Sequence, residues 1–425
     1  MNNDLLYWIW LSLCCSPDTS TFSKLIYDFT DPKEIFEAND KEISRCIGYR
    51  NSDRSALLEK NLDKANEVLN FCLKHKVGIL TYADPKYPIL LRDIKTPPVL
   101  LYYRGTLPDF NGKFLVAAVG TRTLSDYGRR NSFKISYDLA AAGAVIVSGM
   151  AVGIDGVSLA GALEAGGTTV AVIGSGIDVC YPIQHLTLAR EIVKKGCVLT
   201  EYAPGTPPNK YNFPKRNRII SGLCSATVVF EGRERSGALI TARCAKEQGR
   251  AVFALPGNVD TRHGEASNLI LKNGGKICTK AEDILEPFIE DFGSNINPFN
   301  LPKSFNVNIT SVLSKYAVAA VCQGDGIFVP SRAFSSKSAK TKAKENTPPT
   351  DEIAITVHEQ DISSAGLSRK AMDIYKKIPL NGSCSVESLV DDEIGLRDVM
   401  KELLKLEINH FVVMLPGEMV SRKLK

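Results

Sequence analysis

At 425 residues, with 44% hydrophobic and 23% charged residues, the chain has an ordinary globular composition and length for two or three domains, which excludes a disordered or fibrous protein. Fifty-two Lys+Arg against 47 Asp+Glu leave a net charge of only +5, so any nucleic-acid partner must be argued from a local basic patch and not from the total. The eleven cysteines are scattered, with no CxxC and no histidine at metal spacing. That usage predicts reduced, mostly buried thiols in a cytoplasmic protein without a metal or cofactor.

The predicted elements begin with a helical region. Leu5 to Cys15 is apolar but shorter than the ~20 residues that span a bilayer, and no Lys or Arg precedes it. It reads as a buried helix, with no membrane segment. Apolar spacing through Phe22, Leu25, Ile26, Phe29, Ile35 and Phe36 makes residues 1–75 a small helical domain. GILTY and VLLYY, separated by proline turns, then read as edge strands.

From 114 to 257 one design repeats. FLVAAVG, VIVSG, TVAVIG, VLTEY, ATVVFEG and AVFALPG are apolar without alternation, as strands covered on both faces must be. Between them helices are predicted over Tyr127–Ala142, Asp155–Ala165, Leu186–Lys195 and Ile240–Gln248. The fold class is α/β: a Rossmann-like, doubly wound and mostly parallel sheet over residues 76–290, with ligands expected at the carboxyl ends of its strands. Residues 291–369 read as a linker, partly disordered, because 331–350 holds four Ser, five Lys/Arg and a single acid with little that is apolar. Its basic run suits a solvated tether or a nucleic-acid contact. Residues 370–425 return to three helices and a hairpin, a winged-helix-like pattern. Seven acids from Glu387 to Glu407 argue against insertion among phosphates and favour a structural or protein-contact role.

Three strand ends carry small-residue turns ahead of helices, where free N–H groups and the helix dipole receive phosphate. They are Gly120-Thr121-Arg122 with Ser125 as N-cap, the turn from Ser148 and Gly149 to Gly153, Ile154 and Asp155, and Gly174-Ser175-Gly176. Each alone is also what a tight turn requires. Pro204–Ile220 is sharper: Lys210, Lys215, Arg216 and Arg218 are interleaved with Tyr211 and Phe213 and no acid. An exposed loop of this kind suits single-stranded nucleic acid, cations tracking phosphates and a ring stacking a base. A plain surface loop is the alternative, with Phe213 tucked beneath it. Ser236 and Thr241, at the next strand–helix junction, can bond phosphates or cap the helix. There is no GxxxxGK[ST], no HExxH and no nucleophile elbow.

On these residues the chain from about 81 to 286 resembles the DNA-processing protein A (DprA/Smf) family. The matching stretches are YADPKYPILL, VGTRTLSDYGRR, SGMAVGID, GALEAGGTTVAVIGSGIDVCYP, NFPKRNRIISG, SGALITA and EQGRAVFALPGN. The resemblance implies a Rossmann-like protein that binds single-stranded DNA, forms a homodimer and loads a RecA-type recombinase in natural transformation and recombination, without catalysing a reaction. By matched position it places Arg122, the Ser148–Gly149 and Gly153–Ile154 turn, Lys210, Phe213, Lys215, Arg216 and Arg218 in the DNA-contacting pocket. Two departures stand out. Val152 occupies a position where the family usually has Arg, and CCSPDT at 14–19 lacks the Gly-x-Gly turn of many relatives, so little DNA binding is expected from 1–72. The alternative is a nucleotide-binding or nucleotide-cleaving enzyme of a related Rossmann-like fold. The PGGxGTxxE motif of cytokinin-activating phosphoribohydrolases is absent.

Overall fold

Leu115, Ala117 and Val119 pack into one core and Val116 and Ala118 into another, so alternate residues of a single strand feed opposite faces of a sheet. This is the physical reason the apolar runs do not alternate with polar residues. The computed structural model describes residues 3–317, 369–378, 383–390, 395–408, 411–415 and 419–422. In chain order the sheet strands are β1 (Gly78–Thr81), β2 (Leu100–Gly105), β3 (Leu115–Val119), β4 (Val145–Ser148), β5 (Thr169–Val172), β6 (Cys197–Thr200), β7 (Ala226–Val229), β8 (Ala251–Ala254) and β9 (Lys276–Ile277).

Their spatial order is β1-β2-β6-β5-β4-β3-β7-β8-β9. The pairings β1–β2 and β2–β6 are antiparallel and all the others parallel. From β3 the chain winds one way through β4, β5 and β6, then returns to the other side of β3 with β7. The switch point therefore lies between β3 and β7, and the crevice outside their carboxyl ends is where such sheets bind ligands. The six expected strands all form. Only β1 of the two early strands lies at an edge, because β2 is enclosed between β1 and β6.

Six helices precede the sheet: α1 (Asn3–Cys14), α2 (Thr21–Asp28), α3 (Pro32–Glu37), α4 (Asp40–Ile47), α5 (Arg54–Glu59) and α6 (Asp63–Lys74). Trp8, Ile9, Trp10 and Leu11 of α1 are buried in the same core as Tyr102 of β2 and Val198 of β6. At about 1.5–3 kcal/mol for each large apolar side chain removed from water, this face fastens the helices to the sheet, so residues 1–75 share a core with it.

One face of the sheet carries α8 (Asp126–Ala141), α9 (Ile154–Glu164) and α10 (Leu186–Lys195). The other carries α11 (Asn212–Gly222), α12 (Gly237–Glu247) and α13 (Glu265–Lys272), together with the short α7 (Ile89–Arg92).

The expected linker is corrected at its start. After two single-turn helices, α14 (Glu282–Leu285) and α15 (Ile289–Phe292), the chain stays packed: Ile296 is buried, Phe305 stands edge-on to Phe133 and Tyr137, and α16 (Ile309–Tyr316) buries Val312. Aromatic residues in a polar, Pro-rich stretch serve here as anchors. The Ser/Lys-rich run at 331–350 lies outside the described residues.

Residues 369–422 belong to a separate unit. It has α17 (Arg369–Lys377), β10 (Ser383–Ser385), a single 3₁₀ turn at Val386–Leu389, α18 (Leu396–Ile408), β11 (Val412–Leu415) and β12 (Met419–Arg422). The sheet order is β10-β12-β11, all antiparallel. Ile374, Tyr375, Leu389, Val399, Leu403 and Leu406 fill its core. Where a middle helix is expected over Val386–Asp392, the described residues form that 3₁₀ turn, with β10 directly ahead of it, and 391–392 lie outside the described residues. Among the described residues no helix is long and apolar enough to cross a membrane. No disulfide joins the ten cysteines described, seven of which are buried, while Cys322 lies outside.

Candidate functional site

A pocket of about 320 Å³ opens at the switch point, lined by the ends of β3 and the starts of α11 and α12, including Gly120, Arg122, Ala151, Asp155, Lys210, Phe213, Arg216, Asn217, Ser236 and Thr241. Its first wall is the β3–α8 turn. Ser125 caps α8, accepting from the Gly128 N–H at 3.1 Å. The Glu231 carboxylate, at the end of β7, accepts from the Ser125 N–H (2.9 Å) and hydroxyl. The Thr121 N–H donates to the Glu231 carbonyl at 2.8 Å. These bonds tie the turns after β3 and β7 together and present Arg122 outward, exposed.

The second wall is the β4–α9 turn. Gly153 has φ +92°, and a Cβ there would lie 2.3 Å from the Thr121 carbonyl oxygen and 2.7 Å from the Arg122 Cα. A side chain is excluded both by its own backbone and by the neighbouring turn. Gly153→Ala is expected to cost about 1–3 kcal/mol in backbone strain and to push the Arg122 turn outward; a thermal melt and ligand titrations on the variant check both. Met150 is also left-handed (φ +55°) and fully buried, and the His185 Nδ1–H donates to its carbonyl at 2.9 Å. Burial lowers the His185 pKa against the upward pull of that bond, which favours the neutral ring.

Asp155, in the first turn of α9, makes no side-chain capping bond to that helix. Its carboxylate accepts from the backbone of Ala151 and Gly149, and burial raises its pKa while the Arg216 charge lowers it. Arg216 is 4% exposed. It donates to the Gly149 carbonyl at 2.9 Å and to the Val172 carbonyl, and burial pulls its pKa down to about 10.

The stretch expected as an exposed loop is corrected from Asn212 onward. It is α11, buried from Arg216 to Gly222. Arg216 is thus a strut beneath the turns, its guanidinium bonded to two backbone carbonyls and to the Asn217 side-chain oxygen. Arg218 faces elsewhere: it bonds Glu201 in a two-pronged pair at 3.0 and 2.6 Å, both side chains 6% exposed, with Asp18 at 3.9 Å. Burial works against its charge and the Glu201 carboxylate outweighs that, so its pKa rises. Lys215 reaches the Pro17 carbonyl at 3.4 Å. Among the other expected contacts, the Ser148 hydroxyl donates to the Ala118 carbonyl (2.6 Å), the Thr241 hydroxyl donates to the Gly237 carbonyl (3.3 Å), and Ile154 is fully buried. Ser148 and Ile154 are buried beneath the pocket, and Thr241 stands in its lining. The Ser236 hydroxyl, at the start of α12, has no hydrogen-bond partner.

Three side chains remain at the mouth. The Arg122 guanidinium lies 5.6 Å from the centroid of the half-buried Phe213 ring, and Lys210 is exposed above the Tyr211 ring at 5.1 Å. Tyr181 sits 5.5 Å from Phe213. The sequence does not single out Tyr181 or Asn217. Asn217 lies among the cations of α11, where it accepts from Arg216 and donates to the Gly237 carbonyl. Val152 stands 47% exposed on the β4–α9 turn.

A family model described as "DNA recombination-mediator protein A" matches residues 78–289. Protein Smf of Synechocystis sp. is 35% identical over 292 residues, covering 67% of this chain and 72% of its own. The DNA processing protein DprA of Bacillus subtilis is 36% identical over 242 residues, covering 57% and 82%. The X-ray structure of DNA processing protein A from Streptococcus pneumoniae superposes with a TM-score of 0.58 at 33% identity, covering 67% of this chain and 98% of that one.

Proposed function

Because the chain belongs to the DNA-processing protein A (DprA/Smf) family, we propose that its switch-point pocket binds single-stranded DNA and that the protein is a non-enzymatic mediator, protecting that strand and loading a RecA-type recombinase onto it. The observation that carries the strand-binding part is the pairing of Arg122 with the Phe213 ring at the mouth, beside exposed Lys210. Cations serve a phosphate backbone, and a ring face serves a base. In a duplex the bases are stacked on one another and hidden, so a ring reached only by an unstacked base selects the single strand. Arg122, Lys210 and Phe213, supported by the Gly149–Gly153 turn and by Arg216, make up the proposed contact set; Arg218 is left out of it.

That no reaction is catalysed follows from family membership. The Ser148 and Thr241 hydroxyls donate to backbone carbonyls, and the Ser236 hydroxyl has no base beside it. Recombinase loading, a homodimer and a cytoplasmic setting follow from family membership.

The test is fluorescence anisotropy of a labelled oligo-dT against a duplex of equal length, with nucleotide cleavage followed in parallel. Strong preference for the single strand without turnover supports the reading. Strand-indifferent binding or cleavage overturns it. In the same assay Phe213→Ala is expected to weaken binding by about 1–3 kcal/mol with the salt slope little changed, because a stacked base releases few counterions.

A further inference from the structure

We propose that Tyr181 is a second base-stacking surface, so that the site takes at least two successive bases of one strand, the first on Phe213 and the next on Tyr181. The inference rests on the single-strand reading of this pocket. Phe213 is the common neighbour: the Arg122 guanidinium is 5.6 Å from its centroid, and the Tyr181 ring is 5.5 Å from that centroid, inclined at 35°. A cation and two rings gathered in this way match a strand whose phosphate meets the cation while consecutive bases turn onto the rings.

Tyr181 is 43% exposed, so it does not fill the core, although the chain around it is fixed. Val179 and Cys180 before it are buried, the Ser175 hydroxyl donates to the Val179 carbonyl at 3.1 Å, and the Val179 N–H donates to the Gly176 carbonyl at 3.0 Å. Asp178, also buried, accepts from the Gly205 N–H at 2.8 Å, which ties this loop to the one that leads into α11 and Phe213. A large ring held open to solvent on a tied loop is pre-organised: little side-chain freedom is lost when a base covers it.

The experiment measures binding of oligo-dT of graded length, from two to twelve nucleotides, to the full chain and to Tyr181→Ala, Tyr181→Leu, Tyr181→Phe and Phe213→Ala, with a thermal melt of each to confirm folding. Tyr181→Ala and Tyr181→Leu are expected to lose about 5- to 150-fold on the longer oligonucleotides, the range one stacked base is worth. The loss should vanish on strands too short to pass Phe213, and the salt slope should not change. Tyr181→Phe should stay within about twofold of wild type, since stacking needs the ring and not the hydroxyl. Full affinity in Tyr181→Leu would mean that Tyr181 only supports Phe213 and would overturn the proposal. If Tyr181→Ala binds every length normally while Phe213→Ala is weakened, the second surface is refuted and the pocket reading stands; if both bind normally, the pocket reading fails too.

Discussion

Arg218→Ala is expected to lower the free energy of unfolding by about 3–5 kcal/mol while leaving the salt slope of strand binding at its wild-type value. Arg218 and Glu201 are both almost fully buried and joined by two short hydrogen bonds. Removing the guanidinium strands a carboxylate in a medium that solvates it poorly, and that uncompensated charge is the larger part of the cost. The pair connects α11 to the end of β6, and Asp18 at 3.9 Å brings in the loop after α1. Exchanging both partners for apolar residues, Arg218→Met with Glu201→Leu, should recover most of the loss, because no buried charge is then left alone. Urea unfolding of the two single variants and the double variant reads the coupling directly. A salt slope that drops in Arg218→Ala would return Arg218 to the DNA-contacting set.

The complementary result is expected of Arg122→Ala combined with Lys210→Ala. Both side chains are exposed and neither supports the core, so the melting temperature should hardly move. Binding to oligo-dT should fall by about 10²–10⁴-fold at low salt, taking about 1.5–3 kcal/mol for each hydrogen bond to a charged group. The slope of log affinity against log salt should become shallower by about 1.4, at 0.7 for each phosphate of a single strand. Arg218→Ala should therefore move stability but not the slope, and the double variant the slope but not stability. The two measurements separate residues that hold the pocket from residues that use it.

The six core strands were legible because burial on both faces leaves an unbroken apolar run that no other element explains at that length. Ser125 was legible as a cap because a serine directly ahead of a helix has one common use. α11 was not legible, for a physical reason: Lys215, Arg216, Asn217 and Arg218 carry no apolar periodicity, and what buries two of these cations is supplied from afar. Glu201 precedes Arg218 by 17 positions, and the Gly149 carbonyl precedes Arg216 by 67. A charge buried by distant partners is locally indistinguishable from a charge in solvent. The same limit hid Phe305, whose aromatic partners Phe133 and Tyr137 lie on α8. Of the site, the turns and the aromatic–cation alternation were readable. Which cations face the pocket was decided by the helix that the alternation concealed.

The most direct test of the central claim is a crystal structure of the full chain with a short oligo-dT. Phosphates are expected within hydrogen-bond reach of Arg122 and Lys210 and a base against the Phe213 ring, with Arg218 still on Glu201. A strand bound elsewhere, leaving the Phe213 face bare, would contradict it.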